Sequence, residues 1–534
     1  MKKILTFFFL MVLLMGQLMP ALPALADEQV QPAPARELKP DPSGVNTGGT
    51  GDVIGATPGA PTAEDIKNLA TNEPLAIKLG DVVGHNRIAI NFVWTLICAY
   101  LVFFMQAGFA MVETGFTRAK NAAHTMAMNF MVFVFGVLGY WICGYALQMG
   151  GVGAGTLAGG TGLLDGEFTM HLFGKNFGLF GIKGFFLSGQ TYDASILTLF
   201  LFQVVYMNTA ATIPTGAMAE RWTFKSFMIF GFFISMFIYP MYANWVWGGG
   251  WLSQLGKNFG LGHGVLDFAG SSVVHMVGGV AALAGAIVLG PRVGKFRADG
   301  TPKAIPGHHI PMAIIGCLIL FLGWFGFNTG HTLAGGDLRV GVIAVNTMLA
   351  SAAASFSAMA YMWICYGKPD LSLSANGLLA GLVAITAPCA FVSTVGAVII
   401  GLVAGVLCCM SIFFVERTLK VDDPVGAISV HGACGAWGLL ALGLFADGTY
   451  GDGLNNVPGT VKGLFYGGTS QFVAEVLGVC VNFAFVFVVM FVFFRLLDKI
   501  IPLRVSAEVE FDGLDLNEVN VTAYPDFNLT KTRR

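Results

Sequence analysis

The sequence predicts an all-α polytopic membrane protein with eleven transmembrane helices, and two observations support this prediction. Hydrophobic residues make up 55% of the 534-residue chain and charged residues only 11%, with a mean hydropathy of +0.71. A soluble domain with so few charges could not cover its surface. In addition, polar and Gly/Pro-rich punctuation divides the chain beyond residue 86 into eleven apolar segments, and a helix needs about 20 apolar residues to cross the hydrocarbon.

The N-terminus has the three-part pattern of a cleavable secretory signal. Two lysines precede a long apolar stretch, and the small-residue motif "ALA" at 24–26 follows it. An uncleaved first membrane helix is the alternative, but the Ala-x-Ala site lies at the distance expected for cleavage. We therefore predict that residues 1–26 are a signal peptide and exclude them from the fold.

The composition of residues 27–86 predicts a mostly flexible extracytoplasmic arm. They include "QPAPARELKPDPSG" and "NTGGTGDVIGATPGAP", which are rich in Pro, Gly, Thr and acidic residues. Such a composition buries too little apolar surface to fold on its own. A short helix is expected near residues 62–71.

The transmembrane domain is predicted at 87–497, followed by a cytoplasmic tail at 498–534. A loop between the second and third segments is too rich in glycine to be helical throughout. The predicted segments are 88–112, 122–148, 193–217, 226–246, 271–290, 310–330, 339–366, 374–391, 393–415, 427–446 and 469–497.

The basic residues between the segments indicate the orientation of the chain. Cytoplasmic loops carry an excess of Lys and Arg, and alternate loops here carry fourteen against five. The prediction is therefore an N-terminus outside and a C-terminus inside. The richer set is Arg118, Lys120, Arg221, Lys225, Arg292, Lys295, Arg297, Lys303, Lys368, Arg417, Lys420, Arg495, Lys499 and Arg504. The poorer set is Lys175, Lys183, Lys257, Arg339 and Lys462.

Charge and cysteine usage exclude several functions. The net charge is −2, without the basic excess that nucleic-acid binding needs, so no nucleic acid is expected as a partner. The nine cysteines lie almost entirely in apolar segments and form no CxxC or Cys/His cluster. They are interpreted as small buried hydrophobes, so neither a disulfide framework nor a metal site is predicted.

Two apolar segments carry a histidine in matching surroundings. "DFAGSSVVHMVGGVAAL" from Asp267 and "DPVGAISVHGACGAWGL" from Asp423 share the pattern D-x2-G-x3-V-H-x3-G-x3-L. Six identities in seventeen could arise by chance where Gly and Leu are common, but a shared Asp-to-His spacing of eight is harder to dismiss. The pattern places His275 in the fifth segment and His431 in the tenth.

The charge count makes these two helices run in opposite directions. The fold expected from this is an inverted repeat of two five-helix halves, with the eleventh helix left over. A residue eight positions into a helix lies about 12 Å deep, near the middle of a hydrocarbon core about 30 Å thick. His275 and His431 can therefore meet at the axis of the repeat.

A single histidine in an apolar helix is more often a packed core residue than a functional one. The pairing changes this expectation, because ionisable residues inside membranes usually face a cavity or pathway. Two neutral imidazoles bonded to each other would keep donors and acceptors in an otherwise dry pore. Such a pore suits a small neutral hydrogen-bonding molecule.

Four stretches strongly resemble the Amt branch of the ammonium transporter/methylammonium permease/Rhesus family. They are "AERWTF" at 219–224, "DFAGSSVVHMVGGVA" from 267, "GWFGFNTG" at 323–330 and "VDDPVGAISVHGACGAWG" from 421. The resemblance runs from about residue 86 to residue 524 in the order of the family. The arm is not part of it.

The resemblance implies a homotrimer with one substrate pathway through each eleven-helix subunit. His275 and His431 match the twin pore histidines of the family, and Asp267 matches its acid at the outer end of the fifth helix. That acid is implied to be structural or to lie on a proton path. Simple capping of the helix by the carboxylate is equally compatible.

The resemblance also implies an outer site for ammonium. Trp247 falls on a vestibule tryptophan that holds ammonium by cation–π attraction; an interfacial tryptophan is the alternative. Phe327 falls on one of two rings that close the pore. Tyr206 replaces the usual phenylalanine at the other ring, and His331 replaces a position that is often a serine, so both depart from the common pattern and are expected to take part in recruitment.

The mechanism implied is recruitment of ammonium, deprotonation at the gate, passage of ammonia past the histidines and reprotonation inside. The tail "AEVEFDGLDLNEVNVTAY" resembles the C-terminal segment of the family, which implies coupling of subunits and docking of a PII-type signalling trimer. Its acidic character also fits a solvated tail. The location implied is a bacterial-type cytoplasmic membrane, and no cofactor is implied.

Three other functions are alternatives to uptake. An ammonium sensor of the same fold would usually carry a signalling domain, and the chain after residue 505 is too short for one, although His331 favours this alternative. A Rhesus-type gas channel fits the same fold. A membrane metalloenzyme using His275, His431 and Asp267 is disfavoured because a rim acid and two central histidines lie too far apart for a tetrahedral site, so the protein is predicted not to be an enzyme.

Overall fold

The computed structural model describes residues 61–152, 166–189, 193–454 and 457–527. The predicted signal peptide and the first part of the predicted arm lie outside these residues.

Ten helices in the described ranges are long and apolar enough to cross a membrane, which confirms a polytopic helical membrane protein. An eleventh apolar helix, α9, is shorter and spans Leu371–Thr386. The ten long helices are α2 (Pro74–Phe116), α3 (Ala119–Met149), α4 (Ala194–Ala217), α5 (Phe224–Trp247), α6 (Ser271–Leu289), α7 (Ile310–Thr332), α8 (Val340–Tyr366), α10 (Thr394–Arg417), α11 (Ile428–Phe445) and α12 (Thr469–Ile500).

Helix α9 is shorter than the segment 374–391 that the sequence predicts, and a proline explains the difference. The apolar run continues beyond α9, but Pro388 has no N–H to donate to the Ala384 carbonyl four residues before it. The chain there turns instead and bonds to the start of α6. The N–H of Ala387 donates to Ser271 Oγ at 2.7 Å, and the N–H of Phe268 donates to the Ala387 carbonyl at 3.3 Å.

The N-terminal side of the domain is more helical than the predicted arm. Helix α1 (Ala63–Asn72) has a capping box between Thr62 and Asp65, which confirms the short helix expected near residues 62–71. Helix α2 then begins at Pro74, well before the predicted start at residue 88. Proline suits the first position of a helix because its missing N–H would have no helical partner there.

A β-hairpin stands between α3 and α4, which the prediction of an all-α fold missed. Strands β1 (Glu167–Leu172) and β2 (Lys175–Gly181) pair antiparallel. The hairpin packs on the end of α5, where Trp245 Nε1 donates to the Leu179 carbonyl at 2.9 Å. We call the side of the molecule that carries it the hairpin face.

Glycines bring the helices into close contact. A Cβ on Gly316 of α7 would lie 2.7 Å from the Gly108 carbonyl of α2, and one on Gly401 of α10 would lie 2.2 Å from the Ala350 carbonyl of α8. Both distances are too short for any side chain. Small residues that let backbones approach are a common basis of helix packing in membranes, where the lipid gives no hydrophobic drive between helices.

The C-terminal tail folds back on the opposite end of the molecule, which we call the tail face. It contains helices α13 (Ala507–Asp512) and α14 (Leu514–Val519). The Leu514 N–H donates to Asn121 Oδ1 at 2.9 Å, and Asp515 Oδ1 accepts from the His124 N–H at 2.9 Å. Leu514 and Asp515 are buried, so this part of the tail packs on the transmembrane domain and is not freely solvated.

Candidate functional site

The aspartates of the two matching stretches cap the helices that carry the histidines. Asp267 accepts hydrogen bonds from the N–H groups of residues 270–273 at 2.6 to 2.9 Å, and Asp423 accepts from Gly426 and Ile428 at 3.0 and 2.7 Å. The glycine three positions after each aspartate has a positive φ, 118° at Gly270 and 82° at Gly426, which side chains disfavour. The geometry at Asp267 is therefore that of a helix cap.

Each histidine lies in a π-helical turn at the start of its helix. These turns span Ser271–Met276 in α6 and Ile428–Ala433 in α11. Single π-helical turns are frequent at functional sites because they re-aim a side chain out of the regular helical register. The matching spacing in the sequence thus corresponds to matching local geometry in the structure.

The structure brings the two histidines together. Nδ1 of His275 lies 3.2 Å from Nδ1 of His431, and the rings are 5.2 Å apart with 21° between their planes. Close contact between α6 and α11 permits this, since a Cβ on Gly279 would lie 2.2 Å from the Gly432 nitrogen. The expectation that the imidazoles meet is consistent with this geometry.

The walls around the pair are largely apolar. The His275 ring stacks on Trp324 at 4.9 Å and on Phe327 at 5.3 Å, while Phe109 lies 6.0 Å from the His431 ring. His275 is fully buried, and its Nε2 has no hydrogen-bond partner among the described residues. A buried ring nitrogen of this kind is available to a small polar molecule that enters the space.

Tyr206 and Phe327 lie between the histidines and the hairpin face. Their ring centroids are 4.3 Å apart with 42° between the planes, and the Phe327 ring lies 5.3 Å from the His275 ring. The Tyr206 hydroxyl donates to the Phe327 carbonyl at 2.6 Å. The hydroxyl that distinguishes this residue from phenylalanine therefore has a partner and ties the Tyr206 ring to the backbone of Phe327.

His331 and Trp247 cover this pair on the hairpin side. The His331 ring lies 4.6 Å from Trp247 and 4.7 Å from Tyr206. Trp247 Nε1 donates to the Asp267 carbonyl at 2.6 Å, which fixes the indole. His331 is 7% exposed and its Nε2 has no partner among the described residues, so it offers a buried polar atom within an aromatic cluster.

A small cavity lies on the tail side of the pair. Its volume is about 20 Å³, and its lining includes His431, Phe109 and Glu113. A second cavity of about 240 Å³ shares Asn376 and Val425 with it. Glu113 is not among the residues that the motifs indicate, because the first predicted segment ends at residue 112; α2 extends to Phe116 and buries this carboxyl.

The fold and the site together are those of a polytopic helical membrane protein in which polar groups follow one another through an apolar interior. Residues 93–524 match the family model described as "Ammonium Transporter Family". The chain belongs to the ammonium transporter family, as its motifs predicted.

Individual relatives and solved structures agree with this membership. The chain is 47% identical over 447 residues to "Ammonium transporter Amt2" of Archaeoglobus fulgidus, covering 83% of this chain and 90% of the relative. It is 36% identical over 454 residues to "Ammonium transporter 1 member 3" of Solanum lycopersicum, covering 82% and 93%.

Among solved structures, one named "Sensor Amt Protein" aligns with a TM-score of 0.70 at 36% identity and covers 81% of this chain and 99% of that one. The structure of Mep2 from Candida albicans aligns with a TM-score of 0.64 at 26% identity and covers 79% and 87%. The two sequence relatives are named ammonium transporters, one of the two structures is named a sensor, and the matching family is that of ammonium transporters.

Proposed function

We propose that this protein takes up ammonium, and methylammonium as its analogue, across a bacterial-type cytoplasmic membrane. Ammonium is recruited on the hairpin face, loses a proton near the gate and passes as ammonia to the tail face. The observation that carries this proposal is the His275–His431 pair, held 3.2 Å apart between apolar walls.

The first step is recruitment by Trp247, Tyr206 and His331. An aromatic face attracts a cation by about 0.5–2 kcal/mol, and the unpartnered His331 Nε2 can accept a hydrogen bond from an ammonium N–H. These attractions are small beside the tens of kcal/mol that Born solvation assigns to moving a bare cation into a low-dielectric pore. Ammonium is therefore deprotonated before it passes the gate of Tyr206 and Phe327.

Passage of ammonia then requires neutral hydrogen-bonding groups in a dry channel. The facing nitrogens of His275 and His431 supply one donor and one acceptor to each other, and the Nε2 of His275 remains free for a passing molecule. Asp267 acts as the cap that holds α6 in place, and a part in proton transfer remains compatible with its position beside Trp247.

The remaining features follow from family membership. The fold is proposed to have eleven transmembrane helices in two inverted five-helix halves plus a last helix, with α9 as the short eighth member. The hairpin face is outside, the tail face is cytoplasmic, and three copies assemble as a homotrimer in the lipid. The docked tail is proposed to couple the subunits and to form part of a docking site for a PII-type signalling trimer.

Reconstitution tests the proposal directly. Vesicles that contain the purified protein should accumulate labelled methylammonium faster than protein-free vesicles, and unlabelled ammonium should compete. Current recorded on ammonium addition reports whether net charge follows. Uptake without current would favour the gas-channel alternative, and no uptake above the protein-free control would overturn the proposal.

A sensor of the same fold is the second candidate, favoured by His331 in the aromatic cluster and by the 36% identity to the structure named "Sensor Amt Protein". A sensor would bind ammonium without conducting it. Saturable binding to the detergent-solubilised protein, combined with no uptake in vesicles, would support the sensor over the transporter.

A further inference from the structure

Glu113 is a carboxyl buried within a membrane-spanning helix, and the route described above does not use it. It is 3% exposed and lies on α2 near the tail face. Acidic side chains in such positions are costly and usually mark an ion or proton pathway. The alternative is a purely structural role, in which Glu113 only forms hydrogen bonds between helices.

Its hydrogen bonds tie three helices together. Asn129 of α3 donates to Glu113 Oε2 at 2.6 Å, and Thr215 Oγ of α4 lies 2.8 and 3.0 Å from the two carboxyl oxygens. The same Thr215 hydroxyl lies 2.5 Å from the Thr212 carbonyl. These partners fix the carboxyl beside the space it lines.

The direction in which the Thr215 hydroxyl donates its hydrogen decides which protonation state of Glu113 fits. A hydroxyl has one hydrogen to donate, and a carbonyl can only accept. When Thr215 donates to Thr212, its contact with Glu113 needs a hydrogen from the carboxyl. The arrangement therefore accommodates a neutral, proton-carrying Glu113 in that case, and it accommodates a carboxylate when Thr215 donates to Glu113 instead.

The carboxyl shares a cavity with the second pore histidine. Glu113 and His431 both line the space of about 20 Å³, and a cavity needs only about 10–15 Å³ to hold one water-sized molecule. Ammonia is a molecule of that size. The neighbouring larger cavity is lined by the charged groups Arg292, Lys295 and Asp423, so the small cavity borders a more polar space.

We propose that Glu113 protonates ammonia after it has passed His431. The O–H bond of the neutral carboxyl breaks as an N–H bond forms, which converts ammonia to ammonium and leaves a carboxylate. Ammonium leaves through the larger cavity, and hydronium on the tail side restores the proton to the carboxylate. This inference rests on the proposed transport function and deepens it by naming the inner proton donor.

The test replaces the acid without changing its shape. Glu113→Gln keeps a carbonyl to accept from Asn129 and an amide to contact Thr215, but it has no acidic proton. The matched control is Glu475→Gln. Glu475 is a fully buried acid of α12 that bonds to Gln471 at 2.6 Å and is not among the residues that line either cavity.

Initial rates of labelled methylammonium uptake are measured in reconstituted vesicles with several lumenal pH values. With the tail face inside and a neutral lumen, Glu113→Gln should be slower than wild type by about 100-fold, the lower range for loss of a general acid. The ratio of the wild-type rate to the Glu113→Gln rate should fall as the lumen is acidified, because hydronium replaces the missing proton donor. Glu475→Gln should match wild type throughout.

The titratable groups that face Glu113 are His431 across the small cavity and Asp423 at its tail side, with Arg292, Lys295 and Glu416 lining the larger one. Glu113→Gln retains all of these groups, as do wild type and Glu475→Gln. A pH dependence that belonged to them would therefore be present in every variant and would cancel from the ratio.

The outcomes separate the two proposals. Wild-type uptake no faster than protein-free vesicles overturns the transport function and this inference with it. Wild-type uptake with Glu113→Gln equal to Glu475→Gln, or a deficit that acidification leaves unchanged, overturns this inference alone. If Glu113→Gln does not assemble, Glu113→Asp takes its place as the test variant. It keeps a carboxyl, so its uptake rate should depend on lumenal pH no more strongly than the wild-type rate does. A stronger dependence than that of wild type would contradict the inference.

Discussion

Nδ1 of His275 and Nδ1 of His431 face each other at 3.2 Å, although 156 positions separate these residues in the chain. Two ring nitrogens bond only if one carries the hydrogen and the other accepts it. The two imidazoles therefore share one hydrogen along this contact and act as a unit. In the neutral pair, the two Nε2 atoms therefore take opposite roles, one as donor and the other as acceptor.

Replacing one member should disable the other. His275→Leu leaves Nδ1 of His431 buried without its partner, at a cost of about 1–3 kcal/mol, which corresponds to about 5- to 150-fold in rate if the cost falls on conduction. Labelled methylammonium uptake in vesicles measures this loss. His124→Leu is the control, since His124 is an equally buried imidazole outside both cavities; an equal loss in the two variants would refute a specific role for the pair.

The tie between Tyr206 and Phe327 should restrain the gate. Tyr206→Phe removes the hydrogen bond to the Phe327 carbonyl, which contributes about 1 kcal/mol, and leaves the ring free to turn. The expected result is a lower melting temperature and faster methylammonium uptake.

Tyr140→Phe is the matched control for that change. The Tyr140 hydroxyl donates to Gln148 Oε1 at 2.7 Å, away from the gate rings and the cap of α6, so its loss should lower the melting temperature without changing uptake. Faster uptake in both variants, or in neither, would contradict a gating role for the Tyr206 hydroxyl.

His331 should contribute to affinity more than to the rate of passage. His331→Phe keeps a ring against Trp247 and Tyr206 but removes the nitrogen that can accept from ammonium. A hydrogen bond to a charged group contributes about 1.5–3 kcal/mol, so the half-saturating ammonium concentration should rise about tenfold or more while the maximal uptake rate stays the same. His331→Ser, which restores a polar acceptor, should show a smaller rise; a fall in maximal rate alone would argue against recruitment.

The similar depth of the two histidines in the membrane could be predicted from the sequence. The Asp-to-His spacing of eight is the same in both stretches, and a helix rises by a fixed amount per residue. Between each aspartate and its histidine, the structure has two features that helical periodicity does not predict. They are the glycines with positive φ after Asp267 and Asp423 and the π-helical turns that contain the histidines. The close approach of α6 and α11 at Gly279 and Gly432 then brings these distant parts of the chain together. The sequence therefore indicated that the two imidazoles could meet, but not how they are aimed.

Other features were missed for identifiable reasons. Hydropathy ended the first segment at residue 112 because a carboxylate is unfavourable in a membrane, and only the partners Asn129 and Thr215 on other helices explain why Glu113 is tolerated. The hairpin was hidden in a glycine-rich loop, where short strands gain their stability from packing on Trp245 and its neighbours. In both cases the deciding contacts are tertiary.

A buried ion-pair network on the tail face gives a prediction about stability and pH. Arg292 Nη1 lies 2.8 Å from Glu220 Oε1, and its Nε lies 2.8 Å from Asp422 Oδ2. Burial alone would raise the pKa of Asp422, but the guanidinium groups of Arg221 and Arg292 hold the pKa of this carboxyl well below its usual range. Asp422→Asn removes one charge from the buried network and should reduce stability at neutral pH by about 3–5 kcal/mol.

The sign of the pH dependence follows from the lowered pKa of Asp422. A carboxyl with a lowered pKa in the folded state contributes its full stability above the unfolded value of about 3.9, and that contribution is lost as the pH falls from there towards the folded pKa. The melting-temperature difference between wild type and Asp422→Asn should therefore be constant at neutral and mildly acidic pH and shrink below about pH 4. Glu508→Gln, which alters an exposed carboxylate of the tail, should leave the melting temperature unchanged at every pH. A difference for Asp422→Asn that persists unchanged in strong acid would show that lost packing, and not the charge, is responsible.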